Sequence, residues 1–183
     1  MKHHEVDIEI KVGIVTISTS KWKNYGNIRG IEALEGVEGM EGMEGVEDSS
    51  GKIIKDKLSP RYNVMDYRLI PDDTVRIYRQ VTGSMQHVDA VVTTGGTGIT
   101  PSDLTIEAIE PILTKKLDGF GEIFRLKSYD QVGSSAILSR ALAGLLGDKA
   151  IFCLPGSPKA AELGAEMVEG VLQHVVSHAK GLK

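Results

Sequence analysis

Residues 91–103 read Val-Val-Thr-Thr-Gly-Gly-Thr-Gly-Ile-Thr-Pro-Ser-Asp, the pattern of a buried strand that runs into a glycine-rich turn. Such a turn leaves successive backbone N–H groups uncovered by side chains, and a cluster of these groups forms a site for anions. The glycines let the backbone approach a phosphate closely, and Thr94, Thr97 and Ser102 add hydroxyl donors. Two interpretations stay open at this point, because many α/β proteins use glycine at strand–helix turns for geometry alone.

Strand-like and helix-like patterns alternate on both sides of this turn. The segments predicted as strands are 12–18, 62–70, 90–93 and 150–154, and those predicted as helices are 50–58, 134–143 and 157–179. This alternation predicts an α/β fold, namely a single three-layer α/β/α domain over residues 1–183 with a mostly parallel central sheet. Because ligands of such sheets bind beyond the carboxyl ends of the strands, we expect Ser18, Asp72, Thr94 and Pro155 to line one cleft.

Two acidic residues precede further predicted helices. Asp72 follows Pro71, and the next apolar residues recur at helical spacing. We expect that helix to bury four side chains: Val75, Tyr78, Val81 and Met85. Asp103 likewise stands before a helical pattern. Each acid has two interpretations, as the N-cap of its helix or as an oxygen ligand for Mg²⁺.

Composition excludes several classes of function. The formal net charge is −4 and the lysines and arginines are scattered, which argues against nucleic-acid binding. No apolar run approaches the roughly 20 residues of a membrane span. The only cysteine, Cys153, lies in an apolar strand and is predicted to be a buried thiol. His174 and His178 are predicted to lie on a solvated helix face rather than at a zinc site.

An acidic repeat interrupts the first half of the chain. Residues 36–47 read Gly-Val-Glu, Gly-Met-Glu, Gly-Met-Glu, Gly-Val-Glu. Glycine at every third position argues against a stable helix, and the absence of proline argues against a collagen-like helix. We predict a Gly/Glu-rich loop insertion at about 33–47, either a mobile acidic loop or a segment that contacts the cleft rim or a neighbouring subunit.

Seven short motifs follow one another along almost the whole chain. They are Ile-Pro-Asp-Asp at 70–73, Asp-Ser-Ser-Gly at 48–51, Thr-Thr-Gly-Gly-Thr-Gly at 93–98, Asp103 with Thr105, Gly-Phe-Gly-Glu at 119–122, Ala-Ile-Leu-Ser-Arg at 136–140 and Leu-Pro-Gly-Ser-Pro at 154–158. Together they resemble the MoaB/MogA family of molybdenum-cofactor biosynthesis proteins, and its MoaB branch in particular. The resemblance implies a cytoplasmic protein that assembles as a homo-trimer or hexamer.

The resemblance also implies a reaction, with ATP and molybdopterin as substrates and Mg²⁺ as cofactor. A molybdopterin adenylyltransferase transfers AMP from Mg-ATP to the terminal phosphate of molybdopterin and releases pyrophosphate. The product then passes to a metal-inserting molybdopterin protein. The alternative is a non-catalytic molybdopterin-binding or carrier protein that uses the same cleft. Ser102 favours this alternative, because active relatives commonly carry an arginine there.

Site residues are carried over from the matching motifs. Asp72 and Asp103 are the expected catalytic residues and the expected Mg²⁺ ligands. The expected nucleotide and phosphate contacts are Thr94, Gly95, Gly96, Thr97, Gly98, Pro155, Gly156 and Ser157. The expected pterin contacts are Ser18, Ser20, Asp48, Ser50, Gly51 and Glu122.

Overall fold

A computed structural model describes residues 8–34 and 47–182 of the chain. The acidic repeat from Gly36 lies outside these residues except for Glu47, so the predicted loop stays a prediction. Within the described ranges the strands are β1 (Lys11–Ile17), β2 (Ile28–Arg29), β3 (Asn63–Ile70), β4 (Ala90–Thr94), β5 (Lys115–Lys116), β6 (Leu142–Leu146) and β7 (Lys149–Leu154). The α-helices are α1 (Thr19–Tyr25), α2 (Ser49–Leu58), α3 (Thr74–Ser84), α4 (Thr105–Ile109), α5 (Asp118–Val132) and α6 (Pro158–Ala179). Short 3-10 helices are η1 (Ile31–Leu34), η2 (Glu110–Ile112) and η3 (Gly133–Leu138).

The strands form one sheet with the order β2-β3-β1-β4-β7-β6-β5. The four central strands β3, β1, β4 and β7 run parallel, whereas β2, β5 and β6 pair antiparallel with their neighbours. The continuous burial of β1 from Val12 to Ile17 explains its central position, because only a strand covered on both faces can be apolar throughout. The predicted α/β architecture with a mostly parallel centre is confirmed.

Helices cover both faces of the sheet. Ile14 of β1 faces the cluster that contains Ile54 of α2 and Leu172 of α6. The next residue, Val15, faces the opposite cluster, which contains Ile77 of α3. Successive side chains of a strand point to opposite faces, so one strand supplies both halves of the core. The carboxyl ends of β1, β3, β4 and β7 then share one edge of the molecule.

The prediction of a helix at 134–143 is wrong in its second half. The 3-10 helix η3 ends at Leu138, and Leu142 begins the strand β6. β6 and β7 form a hairpin in which Leu146 pairs with Lys149 across Gly147 and Asp148. Gly147 has a φ of +65°, the left-handed conformation that a two-residue hairpin turn demands. The Gly-Asp pair is therefore the signal for the antiparallel strand.

The buried face of α3 also differs from the predicted one. Val75 and Tyr78 are 55% and 45% exposed, whereas Ile77, Val81 and Met85 are buried. Two of the four predicted residues, Val81 and Met85, are therefore buried, and Ile77 is buried instead of Val75 and Tyr78.

Three predictions about single residues and membrane spans have clear outcomes. Cys153 is a buried free thiol, as predicted. His174 and His178 are exposed on α6, also as predicted. No helix of the described ranges combines the length and the apolar composition needed to cross a membrane.

Candidate functional site

The glycine-rich turn after β4 has a shape that only glycine supports at two positions. Gly95 and Gly96 have φ values of +104° and +65°, and L residues with a side chain rarely adopt such values. A Cβ at Gly95 would also collide with the carbonyl oxygen of Ile17. Thr105, at the start of α4, holds the turn in place, because its Oγ1 donates to Gly95 O at 2.7 Å and its N–H donates to Gly96 O at 3.0 Å.

This turn presents unpaired donors. Gly95 N–H donates to Leu154 O of β7 at 3.0 Å. The N–H groups of Gly96 and Thr97 donate to no acceptor among the residues that the structure describes. Gly96 is half-buried and Thr97 is buried, so the turn is accessible to solvent at Gly96. Two neighbouring free N–H groups at a glycine turn form the concave donor arrangement that binds phosphate.

Asp72 lies against this turn and is not a helix cap. Its Oδ2 accepts from the N–H and Oγ1 of Thr19, at 2.8 and 2.7 Å. Its other oxygen, Oδ1, would be 3.4 Å from a Cβ at Gly96. The N-cap of α3 is the next residue, Asp73, whose carboxylate accepts from Arg76 N–H at 2.8 Å. The capping interpretation of Asp72 is therefore wrong, and one of its oxygens lies beside Gly96.

Asp103 closes the other end of the same turn. Its Oδ2 accepts from Thr100 N–H at 2.8 Å and from Thr100 Oγ1 at 2.6 Å, and would lie 2.7 Å from a Cβ at Gly98. Burial opposes ionisation, but hydrogen bonds from Thr100 and Gly98 and the charge of Arg140 together hold the pKa of this carboxyl below its ordinary value. The helix α4 starts at Thr105 with Leu104 at its N-cap position, so Asp103 does not cap it.

A second turn, residues 155–157, packs onto the glycine-rich turn. Thr94 Oγ1 donates to Pro155 O at 3.0 Å, and a Cβ at Gly156 would lie 3.1 Å from Gly95 Cα. Ser157 caps α6 by accepting from Ala160 N–H and is exposed. The start of the 22-residue helix α6 therefore stands beside the glycine-rich turn, with its positive dipole end at the cleft.

Comparisons with known proteins bear on this arrangement. Residues 14–174 match the family described as "Probable molybdopterin binding domain". The chain belongs to this family. A molybdopterin adenylyltransferase of Pyrococcus furiosus is 40% identical over 139 residues, which cover 73% of this chain and 82% of that protein. A probable molybdopterin adenylyltransferase of Methanocaldococcus jannaschii is 36% identical over 177 residues, which cover 93% and 94%.

Solved structures agree with the family assignment. The crystal structure of the tungsten cofactor synthesizing protein MoaB from Pyrococcus furiosus superimposes with a TM-score of 0.79 at 34% identity. The match covers 96% of this chain and 99% of that one. The predicted resemblance to the MoaB branch of this family is confirmed.

Among the predicted pterin contacts, Asp48 is held entirely inside the protein. Its carboxylate accepts from Thr16 Oγ1 at 2.5 Å, Tyr67 OH at 2.9 Å and Lys21 Nζ at 2.5 Å, and its side chain has no solvent exposure. Burial opposes ionisation, but these partners hold the pKa of Asp48 below its ordinary value. Burial and the charge of Asp48 raise the pKa of the Tyr67 hydroxyl. Asp48 thus holds Lys21, whose ammonium is partly exposed.

The remaining predicted pterin contacts fall into three places. Ser18 and Ser20 lie at the start of α1 with their hydroxyl oxygens 3.2 Å apart, and Ser20 is exposed. Ser50 is buried and donates to Gly156 O at 2.8 Å. Gly51 is buried where a Cβ would collide with the Asp48 carboxylate. Ser50 and Gly51 therefore fix the packing of α2 against the site.

Glu122 lies apart from these groups. It is exposed in the second turn of α5 and does not cap that helix, which begins at Asp118. With Glu110, Arg125 and Arg140 it lines a cavity of about 560 Å³ between α5 and η3. Glu122 therefore faces a separate cavity. The carboxyl ends of β1, β3, β4 and β7 lie together at the glycine-rich turn, where Thr94, which was expected to line the cleft, is buried.

Arg140 is a site residue to which the sequence assigned no role. Its guanidinium donates to Gly98 O at 2.7 Å and to Asp103 O at 3.1 Å, and it pairs with Glu107. It therefore places a cation beside the glycine-rich turn from a segment 42 residues further along the chain. Thr19, which lies between the predicted contacts Ser18 and Ser20, instead holds Asp72, and the sequence gives no sign of this pairing.

The acids present suit Mg²⁺ better than a transition metal. No group of three or more histidine, cysteine, aspartate or glutamate side chains that could hold a metal occurs among the described residues. Mg²⁺ needs only one or two protein carboxylates, because it keeps phosphate and water ligands. Asp72 and Asp103 flank the glycine-rich turn and fit that requirement.

Proposed function

We propose that the chain is a molybdopterin adenylyltransferase, which transfers AMP from Mg-ATP to the terminal phosphate of molybdopterin and releases pyrophosphate. The observation that carries the proposal is the contact between Asp72 and the glycine-rich turn. A carboxylate oxygen with no described donor lies 3.4 Å from the position of a Cβ at Gly96, in a turn where two N–H groups have no described acceptor. Donors for a phosphate beside a ligand for its metal are what phosphoryl chemistry requires. The names of the relatives from Pyrococcus furiosus and Methanocaldococcus jannaschii agree with this reaction.

Each group has a separate task in this proposal. The N–H groups of Gly96 and Thr97 bind and orient the ATP phosphates, and the dipole of α6 adds positive potential from residues 155–157. Asp72 and Asp103 hold Mg²⁺, which when bound neutralises phosphate charge and supports in-line displacement. Thr19 keeps Asp72 in place through its two hydrogen bonds. Holding both reactants in one geometry removes most of the entropic barrier to their reaction.

The pterin side is assigned to the start of α1. The hydroxyls of Ser18 and Ser20 and the ammonium of Lys21 lie just after the end of β1, and in this proposal they donate to the terminal phosphate. Asp48, Ser50 and Gly51 do not contact the pterin in this proposal. The side chains of Asp48 and Ser50 are hydrogen-bonded inside the protein, and Gly51 packs against the Asp48 carboxylate. Glu122 is assigned to the neighbouring cavity, where it can contact only a more distant part of a ligand.

Arg140 bears on the choice between an enzyme and a carrier. The exposed Ser102 offers no charge where active relatives commonly carry an arginine, which favours a carrier. Arg140 supplies a guanidinium to the same turn from the segment between η3 and β6, so the turn still has a cation. This observation favours the enzyme.

We propose further that the chain forms homo-trimers. Six large apolar side chains are 48% to 74% exposed on α5 and η3: Ile123, Leu126, Tyr129, Val132, Ile137 and Leu138. A contiguous apolar surface of this kind marks an interface between proteins. Size-exclusion chromatography with light scattering should give three or six times the mass of 19.8 kDa. A monomer at micromolar concentration would contradict this assembly.

We place the reaction in the cytoplasm, with a metal-inserting protein as recipient of the product.

The experiment compares two adjacent acids. Asp72→Asn removes the charge that faces the turn, whereas Asp73→Asn removes a similar charge one residue away and keeps a side chain that caps α3. We expect Asp72→Asn to lower the rate of adenylyl transfer at least about 100-fold, the size seen when one electrostatic stabiliser of a transition state is lost. Asp73→Asn should stay within a factor of about three of the wild type.

Pterin binding separates the enzyme from the carrier. Fluorescence titration should give the same molybdopterin affinity for the wild type and Asp72→Asn. Wild-type protein that binds molybdopterin but forms no adenylylated product would identify the carrier. Equal turnover in Asp72→Asn and the wild type would remove Asp72 from the mechanism.

A further inference from the structure

A pocket lined by arginines lies at the β2 edge of the sheet, and none of its lining residues belongs to the glycine-rich turn. It has a volume of about 290 Å³ and is enclosed by β2, the end of β3 and the first turns of α3. Four arginines line it together with Asn27 and Gln80: Arg29, Arg68, Arg76 and Arg79. No carboxylate contributes to the lining among the residues that the structure describes. The proposed function assigns neither ATP nor molybdopterin to this place.

The arrangement of these arginines is unfavourable without a counter-charge. Arg29 stands directly opposite Arg68 in the antiparallel pair of β2 and β3. Arg76 and Arg79 are one turn apart on α3. Like charges at both kinds of position repel one another. Arg29, Arg76 and Arg79 form no ion pair with any described residue. An anion that enters the pocket would relieve this repulsion.

Neighbouring side chains hold two of the guanidinium groups in place. Arg68 Nε donates to Asp66 at 2.8 Å, and the second carboxylate oxygen of Asp66 accepts from Ser84 Oγ at 3.0 Å. Arg76 stacks on Trp22 with its guanidinium carbon 5.0 Å from the ring centroid. The indole N–H of Trp22 in turn donates to Asn27 at 2.8 Å. Donors that are positioned before a ligand arrives lose less entropy on binding.

We propose that this pocket binds the diphosphate or triphosphate group of a small molecule. A planar guanidinium donates two parallel hydrogen bonds to a phosphate, and the three arginines without an ion pair to a described residue, Arg29, Arg76 and Arg79, supply positive charge comparable to the negative charge of a diphosphate. The occupant is a small molecule because the pocket is concave and about 290 Å³ in volume, while the chain as a whole carries a net charge of −4. A long polyanion needs an extended basic surface instead.

The fluorescence of Trp22 should report binding in the pocket, because Trp22 is the only tryptophan of the chain and contacts Arg76. Inorganic pyrophosphate is titrated into the wild-type protein in EDTA, so that binding through Mg²⁺ at the glycine-rich turn does not contribute. We expect a saturable change in Trp22 fluorescence, and a matching heat signal by calorimetry. Orthophosphate should bind at least tenfold more weakly. Titration of ATP in EDTA distinguishes a nucleotide from free pyrophosphate as the preferred source of the group.

Substitutions locate the binding. Arg29→Gln and Arg79→Gln should each weaken pyrophosphate binding at least tenfold without changing the melting temperature by more than a few degrees. The matched control is Arg61→Gln, which removes the same charge at a surface ion pair with Glu169. The proposal is overturned if wild-type protein gives neither signal, if Arg79→Gln binds as tightly as the wild type, or if Arg61→Gln weakens binding equally.

Discussion

Replacing Asp48 by Asn should destabilise the protein strongly, although the sequence pattern marked this residue as a ligand contact. The carboxylate has no solvent exposure and accepts hydrogen bonds from Thr16, Tyr67 and Lys21. An amide keeps one acceptor oxygen but turns an NH₂ group toward donors and leaves the Lys21 ammonium without its partner. Breaking a buried ion pair by removing one charge costs about 3–5 kcal/mol. Since Lys21 stays partly exposed, we expect a loss of about 3 kcal/mol in the free energy of unfolding.

Urea denaturation followed by circular dichroism measures this loss. For a chain of this length, about 3 kcal/mol corresponds to a fall of roughly 6–12 °C in melting temperature. The matched control is Asp56→Asn on α2, the helix that Asp48 precedes. The side chain of Asp56 is 58% exposed, and its carboxylate lies 4.0 Å from Lys55 Nζ. Exposed ion pairs contribute little to the free energy of unfolding, so the free energy of unfolding of this variant should stay within about 0.5 kcal/mol of the wild-type value. Equal stability of Asp48→Asn and the wild type would refute the account of the buried network.

The pH dependence gives a second test of the same network. The folded protein holds the pKa of Asp48 below its ordinary value of 3.8. The stabilisation is therefore fully present above the pKa of the unfolded chain and is lost as the pH falls through the folded pKa. The difference in stability between the wild type and Asp48→Asn should be constant at neutral pH and shrink below about pH 4. A difference that grows on acidification would contradict this direction.

Three further predictions concern other parts of the chain. Burial raises the pKa of the Cys153 thiol to about 12, so Ellman's reagent should label it only after unfolding, and rapid labelling of the native protein would contradict its burial. Arg140→Gln removes the guanidinium from Gly98 and Asp103, and should weaken ATP binding about tenfold by calorimetry, whereas unchanged affinity would assign Arg140 a purely structural role. Deletion of residues 36–47 should leave the melting temperature nearly unchanged, because each doubling of loop length costs only about 0.6 kcal/mol, and a variant that cannot fold would show that the repeat is a packed element.

The parallel centre of the fold was predictable because burial leaves a direct mark on the sequence. The β-branched run of β1 and the Val-Val-Thr-Thr run of β4 have no polar alternation, which is the pattern of strands covered on both faces. The strand β6 was not found, since its signal is a two-residue turn at Gly147 rather than a periodic pattern. On α3 the apolar residues at 75, 77, 78 and 81 allow more than one stripe at helical spacing, and packing against the sheet selects Ile77 over Val75 and Tyr78.

The candidate site was predictable where the motif itself forms the surface. The glycine-rich turn and Asp72 meet at the carboxyl ends of the strands, as the α/β pattern requires. Contacts across long sequence separations were not predictable, because no periodicity encodes them. Asp48 meets Tyr67 and Thr16 inside the protein, and Arg140 reaches Gly98 from a distant segment. The sequence names such residues but cannot say which way their side chains point.

The most direct test of the central claim is a single incubation of the purified protein with molybdopterin and Mg-ATP labelled in the α-phosphate. Chromatography should reveal label in adenylylated molybdopterin, with one pyrophosphate released for each molecule formed. The Asp72→Asn variant should bind molybdopterin equally well and form product at least about 100-fold more slowly. Wild-type protein that binds both substrates yet transfers no label to the pterin would contradict the account.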